Sequence, residues 1–505
     1  MTATSEDLEP LVRDAAFAHG YAVVAGASLP PEVAHWPRVD VGRFTYATHP
    51  RAVVTRTAAE PGRPWRRRAR AEVVLLGHPV DVATATHDPA VIARSVLAAL
   101  GESVESAVRE VAYLGGRFTA FLHHEDGMTV VPDTHATQPV FWSVEGDGVA
   151  VASHSVLVAR ALGRGPDARA LGLYDGIRAV RPKGTIFMPG MTTPWDGVRP
   201  LIPNCRLDVR LGRAAPSARL QRFWPFEDRV EDADVDRVYD RFREQLLGHL
   251  RLLGSFGTVG LSLTAGLDSR VTLAGLLLDG QRDAFAFTYA SPRAVGRDAA
   301  VTRDVFGASE LAFRAGLPHR LVHWRTPEDC WLPQRAQAFR EAYDRSWPEK
   351  QGSVGAAYSM YADLPHDFVE LQSNLAETGT THTRTRTDEP ISPRRLAELW
   401  LGKVFADHPQ YHDDFAVLID AVDFSAPALR GHDHHDVFYW EHRMSRWAAR
   451  KFQEGDMSHR VLLPFNDRGL IETMLSLPQP MRAAKVLYGR LLDEVPQVRD
   501  VAAGT

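Results

Sequence analysis

Short runs of apolar residues, separated by turn residues, dominate the first part of the chain. The runs 71–82, 117–133 and 148–159 cluster or alternate β-branched side chains and are bounded by turn signals such as His-Glu-Asp-Gly. This pattern predicts β-strands. Two amphipathic stretches between these runs, 88–100 and 104–113, predict helices. The first part of the chain should therefore combine several strands with a few helices.

The pattern changes in the middle of the chain. Residues 181–211 are rich in proline and glycine, which predicts loops and edge strands, and residues 210–228 resemble a linker. A long amphipathic helix is predicted over 232–253, followed by a buried strand over 257–263. Strands and helices then alternate, which favours a parallel α/β sheet, and the chain beyond residue 390 is predicted to be mostly helical.

Composition excludes several classes of protein. The 505 residues are 45% hydrophobic and 24% charged with a net charge of −5, so neither a disordered nor a fibrous chain is expected, and there is no overall attraction to nucleic acid or anionic membranes. Two cysteines exclude a disulfide framework and a cysteine-based zinc site. The sequence begins without a signal peptide and has no apolar run near the roughly 18 residues of a membrane span. We expect a soluble, cytoplasmic protein.

Residues 259–278 carry the strongest chemical signal. An apolar strand leads through Thr264-Ala-Gly-Leu-Asp268-Ser269 directly into a helix. Small residues let backbone N–H groups approach an anion, and the helix adds its positive end. Asp268 has the wrong charge for a bare phosphate site but suits a Mg²⁺ ion that bridges phosphate oxygens. The alternative is a tight turn in which Asp268 and Ser269 cap the helix. No Gly-Lys-Ser/Thr follows, so it is not a Walker loop.

This stretch, LSLTAGLDSR, resembles the pyrophosphate-binding loop S-G-G-L-D-S of the ATP-pyrophosphatase enzymes. The resemblance is to the synthetase domain of class B asparagine synthetases and their relatives, which include β-lactam synthetase, carbapenam synthetase and the lasso-peptide cyclases. Thr264 and Ala265 depart from the family motif. The family implies binding of ATP and Mg²⁺, and three further segments support the resemblance.

The first segment, 304–319, resembles a family helix with the pattern D-x-x-x-A-x-x-x-A that leads to a histidine before the next strand. The strand before it, 284–289, corresponds to one whose end helps to hold adenine in the family. Leu261, Ser262 and Thr288 are therefore candidates for a nucleoside pocket. A core or strand-end position is the alternative for each of them.

The second segment is FVELQSNLAETG, residues 368–379, which resembles the family's S-G-E-G-S-D-E. With an offset of one residue, Glu377 corresponds to the family's second Mg²⁺-binding carboxylate, so that Asp268 and Glu377 are the implied metal ligands. Asn374 then replaces the glutamate that assists proton transfer in the family. This departure leaves both the asparagine synthetase assignment and the identity of the base open.

The third segment, 456–470, resembles the family's "arginine, x, Pro-Phe-x-Asp" sequence, and a lysine that reaches the reacting centre follows it in the family. Lys485 occupies that place and is the implied catalytic lysine. Glu441, on a polar helix just before the segment, is our candidate for a substitute proton acceptor. The implied ATP-binding residues are Leu261, Ser262, Thr264, Ala265, Gly266, Leu267, Asp268, Ser269 and Thr288.

Residues 113–141 resemble a segment of the family's glutaminase domain, with Asp133 at its second strand. The resemblance implies an Ntn-hydrolase-like αββα domain at 1–212, a linker at 213–230 and a PP-loop synthetase domain with a helical end at 231–505. The second domain would have the α/β fold of the adenine-nucleotide α-hydrolases.

A working glutaminase of this class needs a cysteine directly after the initiator methionine, because its α-amine and thiol perform the chemistry. This sequence begins Met1-Thr2, and its two cysteines are Cys205 and Cys330. Thr2 as a nucleophile is disfavoured because the flanking residues predict a capped helix instead of a strand. We expect a degenerate first domain, so that the attacking nitrogen belongs to a substrate amine.

Three further polar groups have structural alternatives. His432-Asp-His-His-Asp436 is dense in metal ligands but lacks a recognisable zinc spacing, so a solvated loop is favoured. The basic cluster Arg63–Arg70 is compatible with contact to RNA or an acidic peptide, although a loop between strands is more common. Thr380–Arg386, directly after Glu377, is either a polar lid or a phosphate- or carboxylate-neutralising segment.

Together these features predict an AMP-forming carboxylate–amine ligase of specialised metabolism, acting in natural-product (antibiotic) biosynthesis or peptide modification. Its partners would be small-molecule or peptide carboxylate and amine substrates, without nucleic acid or membrane. A homodimer or a partner protein of the same pathway is compatible with the sequence. The alternatives are an intramolecular lactam or macrolactam cyclase and a catalytically dead scaffold.

Overall fold

The computed structural model describes residues 5–500, except 60–70, 126, 182–185, 213–214, 282, 327–332, 350–353 and 384–385. The strands are β1 Tyr21–Ala25, β2 Arg38–Val41, β3 Phe44–Thr48, β4 Val54–Ala58, β5 Glu72–Val80, β6 Gly115–His124, β7 Gly127–Pro132, β8 Phe141–Glu145, β9 Gly148–Ala152, β10 Arg199–Pro200, β11 Cys205–Arg210, β12 Ser217–Arg222, β13 Thr258–Ser262, β14 Ala284–Ala290, β15 His319–His323, β16 Phe368–Leu371 and β17 Arg460–Leu462.

The helices are α1 Ser5–Ala15, α2 Pro89–Glu102, α3 Val104–Ala112, α4 Ser155–Ala161, α5 Ala168–Val180, α6 Val235–Gly254, α7 Leu267–Leu278, α8 Ala299–Ala315, α9 Pro333–Ser346, α10 Val354–Asp363, α11 Pro393–Leu401, α12 Lys403–Ala406, α13 Pro409–Ala421, α14 His434–Phe438, α15 Ala449–Asp456, α16 Arg468–Ser476, α17 Gln479–Ala483, α18 Val486–Asp493 and α19 Pro496–Arg499. A π-helix, Tyr439–Ala448, joins α14 to α15, and short 3₁₀ turns lie at Pro31–Val33 and Ala376–Thr378. Among the described residues, no helix combines the length and apolar character that crossing a bilayer requires.

The N-terminal half, up to residue 222, contains two antiparallel sheets that pack face to face. One sheet has the strand order β10-β8-β9-β1-β3-β2 and the other β12-β11-β7-β6-β5-β4. Their facing side chains form one core, in which Phe121 of the second sheet contacts Tyr21 and Tyr46 of the first. Helices α2 and α3 pack on the outer face of the second sheet and α4 packs on the first. The layers are therefore helix, sheet, sheet and helix, which is the arrangement that the family resemblance implies.

The C-terminal half, from residue 235, contains a five-stranded sheet of order β15-β14-β13-β16-β17 in which every strand pair is parallel. The predicted parallel sheet is confirmed. The chain moves outward from β13 to β15 and then returns to the other side of β13 for β16 and β17. Between β13 and β16 the order reverses, and in open parallel sheets the crevice at the carboxyl ends of such strands is where ligands bind.

Three expectations about elements were wrong in detail. The stretch expected to be a linker contains β12, which pairs along the whole of β11 and completes the second sheet. Residues 155–159, expected as strand, belong to helix α4 on the outside of the first sheet. The third family-like segment, in a region expected to be helical, includes β17 at the edge of the parallel sheet.

The third segment also joins the two halves. Asp456 lies at the end of α15 and forms a buried ion pair with Arg117 of β6, with 2.7 Å between the two groups. The amide of Asn466 donates to the Gly116 carbonyl at 2.6 Å, and the Arg468 guanidinium donates to Ala112. All of these side chains are buried. This sequence therefore holds the N-terminal sheets against the parallel sheet.

Candidate active site

The loop between β13 and α7 is tightly hydrogen-bonded within itself. The Ser269 hydroxyl accepts from the Thr264 backbone N–H at 3.2 Å, and the Thr264 hydroxyl accepts from the Gly266 N–H at 3.0 Å. A Cβ atom at Gly266 would lie 2.9 Å from the Thr264 hydroxyl, so glycine suits this turn. From α8, the Asp304 carboxylate accepts from the Ala265 backbone. The loop is pinned from two sides.

Helix α7 begins at this loop without a side-chain cap. Its N-cap residue is Gly266, and no side chain in the described part of the protein accepts a hydrogen bond from its first turn, whereas Asp298 caps α8 and Asp234 caps α6. Asp268 and Ser269 therefore do not act as helix caps. The free N–H groups of the first turn give this helix end the partial positive charge that binds anions in other proteins.

The segment after β16 lies on the other side of the crevice and is fixed by contacts from three directions. The Tyr488 hydroxyl donates to the Ala376 carbonyl at 2.7 Å. His135 of the N-terminal half lies 3.1 Å from the Thr378 hydroxyl. The Ser373 hydroxyl lies 2.7 Å from that of Thr272 on α7. The 3₁₀ turn that carries Glu377 is thus held in place relative to α7.

Asp268, Glu377 and Lys485 converge at this crevice. The Lys485 ammonium lies 3.6 Å from the Asp268 carboxylate. This distance is that of an ion pair and is longer than an ordinary hydrogen bond. Burial raises the pKa of Asp268, Lys485 opposes this, and the nearby Glu377 raises it further. The three groups come from three different segments of the chain and sense each other's charge. The family resemblance implied roles for these three residues, and the structure brings them together.

The backbone of Lys485 is left-handed, with φ 54° and ψ 42°. Residues other than glycine rarely adopt this conformation, and such strain collects at functional sites. The residue is the N-cap of α18, and its ammonium also lies 5.9 Å from the centre of the Tyr488 ring. The strained backbone places the lysine at the crevice.

Glu377 is held as an anion by two side chains. The His382 ring nitrogen Nδ1 and the Tyr439 hydroxyl each lie 3.0 Å from its Oε2 atom. These contacts, led by the His382 hydrogen bond, outweigh burial and lower the pKa of Glu377 to about 2. The two rings stack with centroids 4.2 Å apart. His382 lies in the polar run 380–386, which therefore contributes directly to the site.

The donor set fits a divalent cation. Among the described residues, the buried Oδ1 atom of Asp268 has no close hydrogen-bond partner and only the Lys485 ammonium at 3.6 Å to offset its charge, so a metal ion at this oxygen would reduce the cost of burying it. Glu377 supplies a second carboxylate that is charged at any physiological pH. Hard cations such as Mg²⁺ prefer such oxygen ligands and keep several waters when they bridge phosphates.

Among the expected nucleoside residues, Leu261 and Thr288 have buried side chains, whereas Ser262 is half-buried at the carboxyl end of β13. The Leu261 side chain is fully buried in the main core, so this residue belongs to the core. The Thr288 hydroxyl donates to the Leu263 carbonyl at 2.7 Å and contacts His319 at 2.9 Å, so it supports the strand ends. The Ser262 hydroxyl lies 3.4 Å from the Leu371 carbonyl, across the crevice between β13 and β16. The alternation of apolar and polar residues along a strand does not show which side chains at the end of the strand face a ligand.

The structure places Glu441 away from this set. Its carboxylate forms a two-point ion pair with Arg222 of β12, with one contact of 2.8 Å, and accepts from the Asn204 amide at 3.0 Å. The side chain is 3% exposed. A carboxylate committed to a buried guanidinium is a poor proton acceptor. The candidate base was therefore misassigned, because the sequence does not show that this face of the helix turns towards β12.

Asn374, which replaces the family's glutamate, contacts a lysine that sequence reasoning missed. The Lys451 ammonium donates to its side-chain oxygen at 3.5 Å and lies 5.7 Å from the centre of the Tyr289 ring. Burial disfavours the charge on Lys451, but the neighbouring Tyr289 and Glu370 raise its pKa overall. In the sequence, the indication that Lys451 lies near the site was its position on the same helical run as Tyr439.

The histidine-rich group after residue 431 is a buried ion network instead of the solvated loop that was expected. Asp433 and Asp436 bind the Arg386 guanidinium, and Asp436 also pairs with Arg482 at 2.8 Å. His435 is buried and lies 2.8 Å from the Arg395 guanidinium. Asp433, His434 and His435 lie close enough to share a metal ion. The Asp433 carboxylate, however, already contacts Arg386 and His435. Thr2, Arg384 and the cluster Arg63–Arg70 lie outside the described residues.

No protein-family model matches the chain, and no curated protein matches it either. Solved structures with detectable similarity include the allosteric regulatory enzyme of purine biosynthesis, at 12% identity and a TM-score of 0.25, over 50% of this chain and 55% of that one. Another is glutamine phosphoribosylpyrophosphate amidotransferase from B. subtilis complexed with ADP and GMP, at 10% identity and a TM-score of 0.25, over 79% and 74% of the two chains. The chain thus spans little more than half the length of the first of these. Similarity this low does not assign a fold or a function.

Proposed function

We propose that the protein is an ATP-dependent, AMP-forming amide-bond synthetase. The observation that carries the proposal is the convergence of Asp268, Glu377 and Lys485 at the reversal point of a parallel sheet, beside the uncapped start of α7. The N-terminal half would be a degenerate Ntn-hydrolase-like domain and the C-terminal half a PP-loop domain. The layer order and the parallel sheet support these finer assignments.

The chemistry explains why such residues are needed. A carboxylate oxygen attacks the α-phosphorus of ATP, and the bond to pyrophosphate breaks, which gives an acyl-adenylate. An amine nitrogen then attacks the acyl carbon and loses a proton, and AMP leaves. Asp268 and Glu377 would hold Mg²⁺, which supplies neutralising charge to the pyrophosphate when bound. Lys485 stabilises negative charge that develops at the reacting centre.

The attacking amine is proposed to come from a substrate and not from glutamine. Cys205, in the middle of β11, is fully buried, and burial raises the pKa of its thiol to about 12. A thiol in this state is neither accessible nor ionised, so it is unsuited to glutamine hydrolysis. Cys330, the second cysteine, lies outside the described residues.

Exchange of labelled pyrophosphate into ATP, in the presence of Mg²⁺ and a panel of carboxylic acids, tests the proposal. Exchange with one class of acid supports adenylation, and no exchange with any acid favours the scaffold alternative. The mass of the product then separates the two ligase types. An intramolecular cyclase yields its substrate minus one water, whereas an intermolecular ligase yields the sum of two substrates minus one water.

A further inference from the structure

A cavity of about 560 Å³ lies between the two halves of the molecule. Phe141 and Phe187 line it from the N-terminal half, and Tyr289, Trp347 and Trp447 line it from the C-terminal half. A volume of this size is typical of pockets that enclose a drug-sized molecule. The aromatic lining favours a flat, apolar body over a small polar one.

The cavity opens towards the same edge of the parallel sheet as the catalytic candidates. Tyr289 lies at the carboxyl end of β14, and Trp324 directly follows β15. Lys451, on the cavity wall, donates to Asn374, which lies three residues before Glu377. Because the carboxyl ends of parallel strands meet at one edge, a molecule in the cavity lies at the same edge of the sheet as the crevice that holds Asp268 and Glu377.

The cavity wall carries an excess of positive charge. Its lining includes the basic side chains Arg178, Arg446, Arg450 and Lys451 and the acidic side chains Glu349 and Glu454. Both carboxylates form ion pairs with the Arg450 guanidinium, at 2.9 and 3.0 Å. Glu454 also favours the charge of Lys451, so that both carboxylates act at the Arg450–Lys451 end of the cavity.

Arg446 is the basic group whose charge is least compensated. Among the described residues no carboxylate lies within ion-pair distance of it, and its Nε atom is buried without a hydrogen-bond partner. Its guanidinium donates to the Thr192 carbonyl. Burial lowers the pKa of this group to about 10, so it is still charged at neutral pH. A half-buried guanidinium without a counter-ion is costly, and an anion in the cavity would offset that cost.

We propose that the cavity binds an aromatic carboxylic acid that carries a second anionic group, with the second group at Arg446 and the carboxylate to be adenylated at the Lys451–Asn374 end. The proposal rests on the proposed function for the identity of the reacting carboxylate. Arg446 and Lys451 lie five residues apart on one continuous helical run, which corresponds to roughly 7–8 Å along its axis. A rigid fused-ring diacid spans such a distance.

Direct binding of three probes to the full-length protein, without ATP, tests this assignment by calorimetry. The probes are naphthalene-2,6-dicarboxylate, 2-naphthoate and suberate, which represent an aromatic diacid, an aromatic monoacid and an aliphatic diacid. We expect the aromatic diacid to bind at least about tenfold more tightly than either of the others, because only it uses both the rings and Arg446. Equal affinities for the aromatic diacid and monoacid would overturn the proposal.

Two variants sharpen the test. Arg446→Gln should reduce the affinity for the aromatic diacid to that for the monoacid, while Arg446→Lys, which keeps the charge, should retain part of the preference. An undiminished preference in Arg446→Gln would contradict the assignment. If Arg446→Gln fails to fold, the comparison of the three probes on the unmodified protein decides alone. Because no ATP is present, a preference for the diacid stands even if pyrophosphate exchange fails, and the two proposals fail separately.

Discussion

The Lys485 ammonium and the Asp268 carboxylate face each other at 3.6 Å, although they lie near opposite ends of the C-terminal half. Asp268 begins the helix that follows the first strand of the parallel sheet, and Lys485 begins the helix that nearly ends the chain. The carboxylate has a buried oxygen without a hydrogen bond, and the lysine has a strained backbone. Both features are explained if Asp268 binds a metal ion and Lys485 contacts a phosphate group beside it.

Replacing Asp268 with asparagine should separate activity from stability. We expect Asp268→Asn to reduce pyrophosphate release by at least about 10²-fold, because the metal loses a charged ligand. Its melting temperature should equal or exceed that of the unmodified protein. The reason is that burial raises the pKa of this carboxyl, so its charged form opposes folding above that pKa. The surface variant Asp236→Asn, on α6, is the control and should keep full activity. A large loss of stability in Asp268→Asn would mean that the residue is structural.

Replacing His382 should alter the pH dependence of turnover. The His382 contact is the main cause of the low pKa of Glu377, so His382→Gln should raise that pKa towards the ordinary value for glutamate. The acidic limb of the pH–rate profile should then move to higher pH, and turnover at about pH 4 should fall several-fold relative to turnover at pH 8, with little change at pH 5. Tyr439→Phe removes a weaker contact and should shift the limb less, in the same direction. Unchanged profiles for both variants would remove Glu377 from the reacting site.

Replacing Lys485 should affect turnover much more than nucleotide binding. We expect Lys485→Ala to lose at least about 10²-fold in turnover, because the ammonium stabilises charge that develops during the reaction. Lys485→Arg keeps the charge and is the matched control, which should lose less. ATP affinity by calorimetry and turnover by pyrophosphate release are measured on the same preparation. Normal turnover in Lys485→Ala would place the lysine outside the site, and equal losses in both quantities would make it a simple ATP ligand.

Glu441→Gln should be a stability variant. It leaves the Arg222 guanidinium buried without its anion, and breaking such a pair typically costs about 3–5 kcal/mol. The free energy of unfolding in urea should fall accordingly, while turnover per folded molecule stays within about twofold of the unmodified rate. A loss of 10²-fold or so in turnover at unchanged stability would restore Glu441 as the proton acceptor.

The sequence predicts the strands and helices that carry the site better than it predicts the side chains that surround the site. Asp268 and Glu377 follow two buried strands, and the order of strands and helices already implies that the ends of those strands meet at one edge. The hairpin from β6 to β7 and the Asp88-capped helix α2 are equally visible in the sequence, because their signals are local. Local patterns of turns, caps and periodicity are therefore sufficient for these elements.

What could not be predicted depends on contacts between distant parts of the chain. The partner of Glu441 is on β12, in a stretch whose polar, proline-containing sequence is typical of a linker. The burial of His435 depends on arginines from other segments. Lys451 lies on α15, directly after the π-helix, and contacts Asn374 from a segment far away in the sequence. No local pattern encodes these pairings.

Pyrophosphate exchange tests the central claim most directly. The unmodified protein, Asp268→Asn and Glu377→Gln are each incubated with ATP, labelled pyrophosphate, Mg²⁺ and a panel of carboxylic acids that includes aromatic diacids. Adenylation at the Asp268–Glu377–Lys485 crevice predicts labelled ATP that requires both Mg²⁺ and an acid, and that falls by at least about 10²-fold in both variants. Labelled ATP formed at the same rate by all three proteins, or by none of them with any acid, would contradict it.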